Sequence, residues 1–365
     1  MWFVIGVILL YNLLLFYFGW NGWQWTKSLG GRKKRLQLIY WMFLIFFAYS
    51  FMMGRLFNED KIVTWIGAIW LGFFYFLLFL LPLVNLLVYL SKFTRFAKSK
   101  VIRWSGFTTL TVTLFLFGYG VFNAYSPVVR TYHINIPKQI EGKQSLNIVM
   151  ASDMHFGVLS GANQAKKLVS RINALNPDLV LFPGDIIDDD IAPFLEQGIP
   201  DLIKQIKAPV YASFGNHDRD DGVDLYKVLN KSGMRLLADE SVVLDNGITL
   251  VGRKDRGYQD VIRAKLLELM KNVDLSKPII LLDHQPYDLD IARANGIDLM
   301  LSGHTHRGQI FPMNWITNKI YDNDWGYLKK GTLQSIVSSG YGFWGTPLRI
   351  GSRSEIVQLK VTFQP

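Results

Sequence analysis

Apolar residues crowd the first third of the chain. Four nearly unbroken hydrophobic runs, Trp2–Trp20, Leu36–Gly54, Ile62–Leu90 and Gly106–Tyr125, each match or exceed the roughly 20 residues with which a helix crosses a bilayer. A surface helix of a soluble protein keeps a polar face opposite its apolar stripe, and these runs have almost none. Four membrane spans are therefore predicted. Pro82 and Asn85 in the third should tilt or kink it. No span carries Asp or Glu, so the bundle reads as an anchor, or a lateral entry for a lipid, rather than a pump. The first run starts Met-Trp-Phe without a basic n-region or a small-residue cleavage site, and is expected to stay in place as a span.

The pattern changes at Ser126-Pro127, where a linker with an edge strand, Val128–Ile136, is expected to run to residue 144. From Ser145 to the end, short apolar strands alternate with helical stretches. Strands are predicted at Ser145–Ala151, Leu179–Phe182, Val210–Ser213, Ile248–Val251, Ile279–Leu282 and Leu299–Leu301, with a helix at Gln164–Leu175. This alternation indicates α/β layering, in which chemistry gathers at the carboxyl ends of strands.

Charge sharpens this division. Residues 1–125 hold 12 Lys/Arg against 2 Asp/Glu, whereas residues 126–365 hold 27 of each, so the net charge of +10 belongs to the apolar third. A nucleic-acid binder would carry its excess on the folded domain. Here the basic residues sit between the spans. Lys27, Arg32, Lys33, Lys34 and Arg35 occupy the first loop; Arg55 and Lys61, offset by Glu59 and Asp60, the second; Lys92, Arg95, Lys98, Lys100 and Arg103 the third. Positive-inside bias puts the first and third loops in the cytoplasm and everything after Tyr125 outside. The chain has no cysteine, which excludes disulfides, zinc–thiolate sites and thiol catalysis.

The strand ends carry a series of polar motifs. Asp153-Met-His155 follows the first strand, Gly184-Asp185-Ile-Ile-Asp188 the second, and Gly215-Asn216-His217-Asp218 the third. His284 ends a later strand, and Gly303-His304-Thr-His306 ends the last. Five of the six histidines lie in these motifs; His133 is left over. Carboxylate, carboxamide and imidazole together suit Mn, Fe or Zn. In an extended segment, Asp-x-His and His-x-His would aim both side chains to one side, and an Asp between two cations would offset their repulsion. Asp189, Asp190, Asp220 and Asp221 read as solvated loop charge. No Gly-x-x-x-x-Gly-Lys loop for nucleotide-dependent transfer is present.

In these motifs, and in Asp283-His284-Gln285-Pro286 and Ser338–Ser354, residues 145–362 resemble the calcineurin-like metallophosphoesterases, most of all the membrane-attached bacterial branch. The resemblance implies a β-sandwich flanked by helices in four layers, following the transmembrane bundle, and two divalent ions, Mn first, with Fe or Zn as alternatives. One ion would take Asp153, His155, Asp185 and His306, the other Asp185, Asn216, His284 and His304. His217 would be the acid that protonates the leaving oxygen, and Asp188 the carboxylate that orients it. Where that branch often has Gly, this chain has Arg307, which is expected either to reach a substrate phosphate or to pair with Asp322 or Asp324. The aromatics from Trp315 through Trp325 and Tyr327 to Tyr341 and Trp344 read either as core or as a rim dipping into the membrane interface. The expected activity is hydrolysis of an extracytoplasmic phosphoester, a lipid-linked or glycolipid phosphodiester, with membrane lipids as neighbours and no nucleic-acid partner. The alternatives are a surface nucleotide or cyclic-nucleotide phosphodiesterase and a non-hydrolytic metal-binding receptor or assembly factor; a pure binding site has no use for His217.

Overall fold

A computed structural model describes residues 2–31, 33–56, 61–142, 144–219, 224–257 and 263–364. Arg32, Glu59, Asp60, Asp220 and Asp221, named above for their charge, lie outside the described residues. The chain forms two compact units, one running to Val121 and taking in Gly345–Pro347, the other starting at Phe122 and holding the rest.

The first unit consists of α1 (Trp2–Ser28), α2 (Lys34–Leu56), α3 (Lys61–Leu90) and α4 (Lys98–Tyr125). Among the described residues these four helices are long and apolar enough to cross a membrane. The shortest has 23 residues, about 35 Å at 1.5 Å per residue. α3 continues as one helix through Pro82. Contacts between the helices rely on small residues and paired polar groups, as expected where lipid supplies no hydrophobic drive. A Cβ on Gly67 would sit 2.5 Å from the Phe51 Cα, so only glycine lets α3 lie this close to α2. The Tyr11 hydroxyl donates to the Ala48 carbonyl at 2.6 Å and accepts from Trp70 Nε1 at 2.9 Å.

The second unit starts with the last turn of α4, which is bonded into the globular fold. Asn123 Nδ2 donates to the Arg349 carbonyl at 3.1 Å, Ser354 Oγ to the Ala124 carbonyl at 2.7 Å, and the Tyr125 hydroxyl to the Leu159 carbonyl at 3.0 Å. The expected edge strand follows as β1 (Val128–Ile136), then β2 (Ser145–Met150), α5 (Ala162–Ala174), β3 (Leu179–Pro183), β4 (Val210–Ser213), β5 (Met234–Leu236), β6 (Glu240–Val243) and β7 (Thr249–Gly252). β8 (Ile279–Leu282), β9 (Leu299–Ser302), β10 (Gly326–Lys330), β11 (Leu333–Val337) and β12 (Glu355–Phe363) complete the set.

Among the described residues these strands build two six-stranded sheets, ordered β1-β12-β2-β3-β4-β5 and β10-β11-β9-β8-β7-β6. The period-2 alternation of strand side chains sorts the apolar residues into layers. Leu179 and Leu181 of β3 face Ile280 and Leu282 of β8 in the core between the sheets. Val180 and Phe182 point the other way, onto Leu168 and Ile172 of α5. Ile279 and Leu281 of β8 pack outward on Leu289 and Ala292. The result is helix, sheet, sheet, helix. The central strands β2, β3 and β4 are parallel in one sheet, as are β7, β8, β9 and β11 in the other, so their carboxyl ends gather at one rim.

Candidate metal centre

The motif residues lie in the loops at that rim. Asp153 and His155 follow β2, Asp185 follows β3, Asn216 and His217 follow β4, His284 follows β8, and His304 and His306 follow β9. The expected extended geometry is replaced by sharp turns. Asp153, His155, Asp185, His304 and His306 have φ of 51°, 44°, 53°, 70° and 47°, a left-handed region uncommon for residues with a Cβ and characteristic of strain held at functional sites. These kinks, rather than strand alternation, turn the side chains inward. The flanking glycines allow close approach: a Cβ on Gly215 would strike the Asp185 carboxylate, and one on Gly303 that of Asp153.

Asp153, His155 and His306 present donor atoms all within 4.8 Å of one another, and so do Asp185, His284 and His304. Asn216 joins the second group, its Oδ1 2.8 Å from His304 Nδ1. Asp185 lies between the groups, with Oδ2 3.0 Å from His284 Nε2 and 3.6 Å from His155 Nε2. The structure thus brings all seven expected ligands into two adjoining sets, with Asp185 in one of them and facing His155 of the other.

The donors fit divalent cations. His284 is fully buried and its Nδ1 donates to the Pro183 carbonyl at 2.9 Å. Its Nε2 faces Asp185 Oδ2 at 3.0 Å and among the described residues has no other partner. A buried lone pair against a carboxylate oxygen calls for a positive charge between them. Proton affinities report the same pressure. Burial opposes a charge on His284, yet Asp185 and Asp153 outweigh it and push the imidazole well above its ordinary value. Burial would raise Asp185, but His284 and His155 pull it far below the carboxylate range. Burial raises Asp153. His304 is pushed down to about 3 by burial and by His284, and His306 well down by burial, His155 and Arg349. Protons on some of these groups exclude protons on others, whereas two cations would satisfy both sets.

One expected role changes. Asp188, His155 and His217 present donor atoms within 4.8 Å of one another, but the hydrogen bond of Asp188 goes to His155 and not to His217. Asp188 Oδ1 lies 3.2 Å from His155 Nδ1, which fixes His155 with Nε2 toward the ligand group, the carboxylate–histidine arrangement that orients metal ligands. The carboxylate on His217 is Asp189, read from sequence as loop charge: its Oδ1 is 3.0 Å from His217 Nδ1 and accepts from Arg219 Nε at 3.1 Å. The turn at Asp189, with φ of 61°, reverses the direction of the second carboxylate, which the residue order alone could not reveal. The His217 amide donates to Asp185 Oδ1 at 2.8 Å, setting the imidazole beside the ligands.

Three further residues support the site. Buried Asp218 accepts the amides of Ile186, Ile187 and Gly215 at 2.7, 2.9 and 2.8 Å, bracing two ligand loops together. Burial, with Asp185 nearby, raises it to about 7. Arg349, fully buried, donates to the Gly342 carbonyl at 2.7 Å and to His306 Nδ1 at 3.0 Å. Ser152 Oγ donates to Asp153 Oδ2 at 2.5 Å. Asp218 was visible as part of a motif, without a role; Arg349 and Ser152 carry no sequence signal beyond their neighbours.

Arg307 takes neither of its expected carboxylate partners. Asp322 pairs with Lys330 at 2.8 Å, and Asp324 accepts from Thr317 at 2.8 Å. The Arg307 guanidinium instead lies 3.7 Å from the centre of the Trp325 ring, a cation–π contact. Among the described residues it forms no ion pair. The aromatic segment splits between its two readings: Tyr341 and Phe343 are core, while Phe311, Trp315 and Trp344 are exposed.

Comparison with known proteins shows what the chain is similar to. The calcineurin-like phosphoesterase family profile matches residues 146–308. A metallophosphoesterase of Aquifex aeolicus is 30% identical over 258 residues, covering 67% of this chain and 96% of that protein. One from Helicobacter pylori is 36% identical over 225 residues, and the chain spans only 60% of its length. A zebrafish transmembrane protein with metallophosphoesterase domain is 29% identical across 92% of this chain and 82% of its own. Among solved structures, the NAD nucleotidase of Haemophilus influenzae aligns with a TM-score of 0.39 at 16% identity, over 54% of this chain and 45% of that one. The chain belongs to the calcineurin-like metallophosphoesterase family, phosphoester hydrolases that use divalent metals, and is a membrane-spanning member of it.

Proposed function

We propose that this protein hydrolyses an amphipathic phosphoester, a lipid-linked or glycolipid phosphodiester, at the outer surface of the cell membrane. The observation that carries the reading is an apolar surface beside the ligands. The short helix Asn314–Ile320 has no buried residue, and its Trp315, Ile316 and Ile320 are 62%, 50% and 56% exposed. Trp344 is 56% exposed, with its ring centre 6.1 Å from that of His217. The Gln309 side chain ties the Trp344 backbone to the segment leading into that helix, at 2.8 and 2.9 Å. A water-soluble substrate has no need of such a patch, whereas an interface favours exposed Trp beside aliphatic side chains. The orientation rests on the loop charges described above.

Asp153, His155, Asp185 and His306 would hold one ion, and Asp185, Asn216, His284 and His304 the other. Such a pair supplies Lewis-acid polarisation of the phosphoryl oxygens and a nucleophile at neutral pH. The chain's own contribution to proton movement is His217. With Nδ1 on Asp189, its Nε2 is free to give a proton to the leaving oxygen, and Asp189 steadies the imidazolium. Arg307, against the Trp325 ring, presents its fork to a phosphate or acidic headgroup.

The test compares full-length protein on a phosphodiester lipid in vesicles with the same protein on a soluble nitrophenyl phosphodiester. Replacing Trp315 and Ile316 by Ser should cost about tenfold on vesicles, equivalent to about 1.4 kcal/mol, and leave the soluble reaction unchanged. Equal losses on both substrates, or a soluble nucleotide ester turned over far faster than any lipid, would reject the proposal.

A further inference from the structure

The helical bundle contains a cavity of about 670 Å³, lined by the C-terminal half of α1, the N-terminal half of α4 and parts of α2 and α3. Its volume lies within the roughly 300–1,000 Å³ of small-molecule sites. Most of its wall is apolar and aromatic, including Trp20, Trp25 and Trp70.

The polar residues in the wall set it apart. Elsewhere in the bundle the Tyr49 hydroxyl donates to Asn12 Oδ1 at 2.7 Å. Asn21, Gln24 and Asn85 line the cavity together with Ser105, Thr109 and Thr113. The Asn21 and Asn85 amide groups donate to the Tyr17 carbonyl and the Tyr17 hydroxyl at 2.8 and 2.6 Å. Among the described residues no donor reaches either amide oxygen. Thr109 returns its hydroxyl to the Ser105 carbonyl at 2.8 Å. Thr113, one turn on, is 1% exposed, and among the described residues its hydroxyl has no partner. Unsatisfied polar groups inside a membrane are costly and mark ligand sites.

Lys98 stands in the lining at the start of α4. Arg103 joins α4 to the end of α1 through the Ser28 carbonyl at 2.7 Å, and Lys27, Lys33 and Lys34 flank the same end. A basic rim beside two amide oxygens, in a largely apolar wall, matches one ligand chemistry. The rim attracts an anion, the oxygens accept from hydroxyls, and the wall takes hydrocarbon.

We infer that this cavity is a non-catalytic binding site for an anionic membrane lipid with a hydroxylated headgroup: the phosphate lies by Lys98, the headgroup hydroxyls lie against Asn21 and Asn85, and the upper acyl chains lie against the apolar wall. The cavity requires neither the metal centre nor the lipid-substrate reading, and its test reads binding alone.

The probe is phosphatidylglycerol, with phosphatidylcholine as the control of equal chain length but no headgroup hydroxyl and no net charge. Full-length protein in detergent is offered each lipid and examined by native mass spectrometry. Phosphatidylglycerol should remain bound through detergent exchange and phosphatidylcholine should wash off. Lys98→Gln, at an exposed position, should weaken retention about fivefold, the worth of one basic residue beside an anionic lipid. Asn21→Leu with Asn85→Leu should abolish the headgroup preference with thermal stability unchanged; if that pair fails to fold, Lys98→Gln decides alone. Equal retention of the two lipids, undiminished retention in Lys98→Gln, or a dimer that excludes lipid would each overturn the inference.

Discussion

The two neighbouring carboxylates, Asp188 and Asp189, should fail in different ways when each is replaced by Asn. Asp189 holds His217 Nδ1 at 3.0 Å, and this bond strengthens when His217 is charged. A hydrogen bond to a charged group contributes about 1.5–3 kcal/mol. The Asp189 side chain is 37% exposed, so solvent screening places the loss near 1–2 kcal/mol, about 5–30-fold in rate. Asp189→Asn should therefore lower kcat by that factor at saturating metal. The deficit should shrink on nitrophenyl esters, whose leaving groups need less protonation. Asp188 instead fixes His155, whose ring is pushed up to about 9 because Asp188 and Asp185 outweigh burial. Loss of a carboxylate that orients a ligand histidine costs about 10–100-fold in metal affinity, so excess Mn should restore Asp188→Asn. The assay is kcat against Mn concentration for both variants on a nitrophenyl ester and on an alkyl ester. If Mn rescues Asp189→Asn and not Asp188→Asn, or if Asp189→Asn loses equally on both esters, the assignment is wrong.

Asp185→Ala should empty both metal positions, since Asp185 lies 3.0 Å from His284 and 3.6 Å from His155, whereas His306→Ala should weaken mainly one; metal content per chain by elemental analysis distinguishes them. Arg307→Gly should lower kcat/KM for a phospholipid diester by about 10-fold or more, within the range for losing a charge-assisted contact, while metal content and Tm stay unchanged. Trp325→Leu, which removes the ring under the guanidinium, should reproduce part of that loss. Because the natural chain lacks cysteine, one introduced at Ser126 should react with an impermeant thiol reagent in intact cells and one at Ser28 should not; the reverse pattern would overturn the orientation.

The spans and the central strands were legible because each rests on a local signal: a long apolar run, or a short one ending in a polar motif. β12 was missed although Val357, Leu359, Val361 and Phe363 alternate with Gln358, Lys360 and Thr362, the pattern of a half-buried strand; it carries none of the polar motifs that marked the central strands, and its place between β1 and β2 comes from long-range pairing. β5 and β6 are three and four residues long, too short for any period to show. Motif spacing picked out the candidate ligands, but not how they converge: left-handed turns at five of these residues do that. A further left-handed turn, at Asp189, decides which of two adjacent carboxylates reaches which histidine. Arg349 was out of reach, because its partner His306 is 43 residues away and its guanidinium is buried by the fold as a whole.

The last turn of α4 bears on how the catalytic domain can be prepared without its anchor. The composition of the chain invites a cut at Ser126-Pro127. That cut would remove Asn123, which holds the Arg349 carbonyl, as well as Ala124, which accepts from Ser354, and Tyr125, whose ring packs 5.2 Å from Phe343. Arg349 is the same residue whose guanidinium reaches His306. A fragment begun at Ser126 would thus lose a clamp on a ligand histidine, and low metal content in it would reflect the choice of end point rather than a need for the membrane. A fragment begun at Phe122 keeps one turn of apolar helix, at some cost in solubility, and with it the bonds that hold the Arg349 loop.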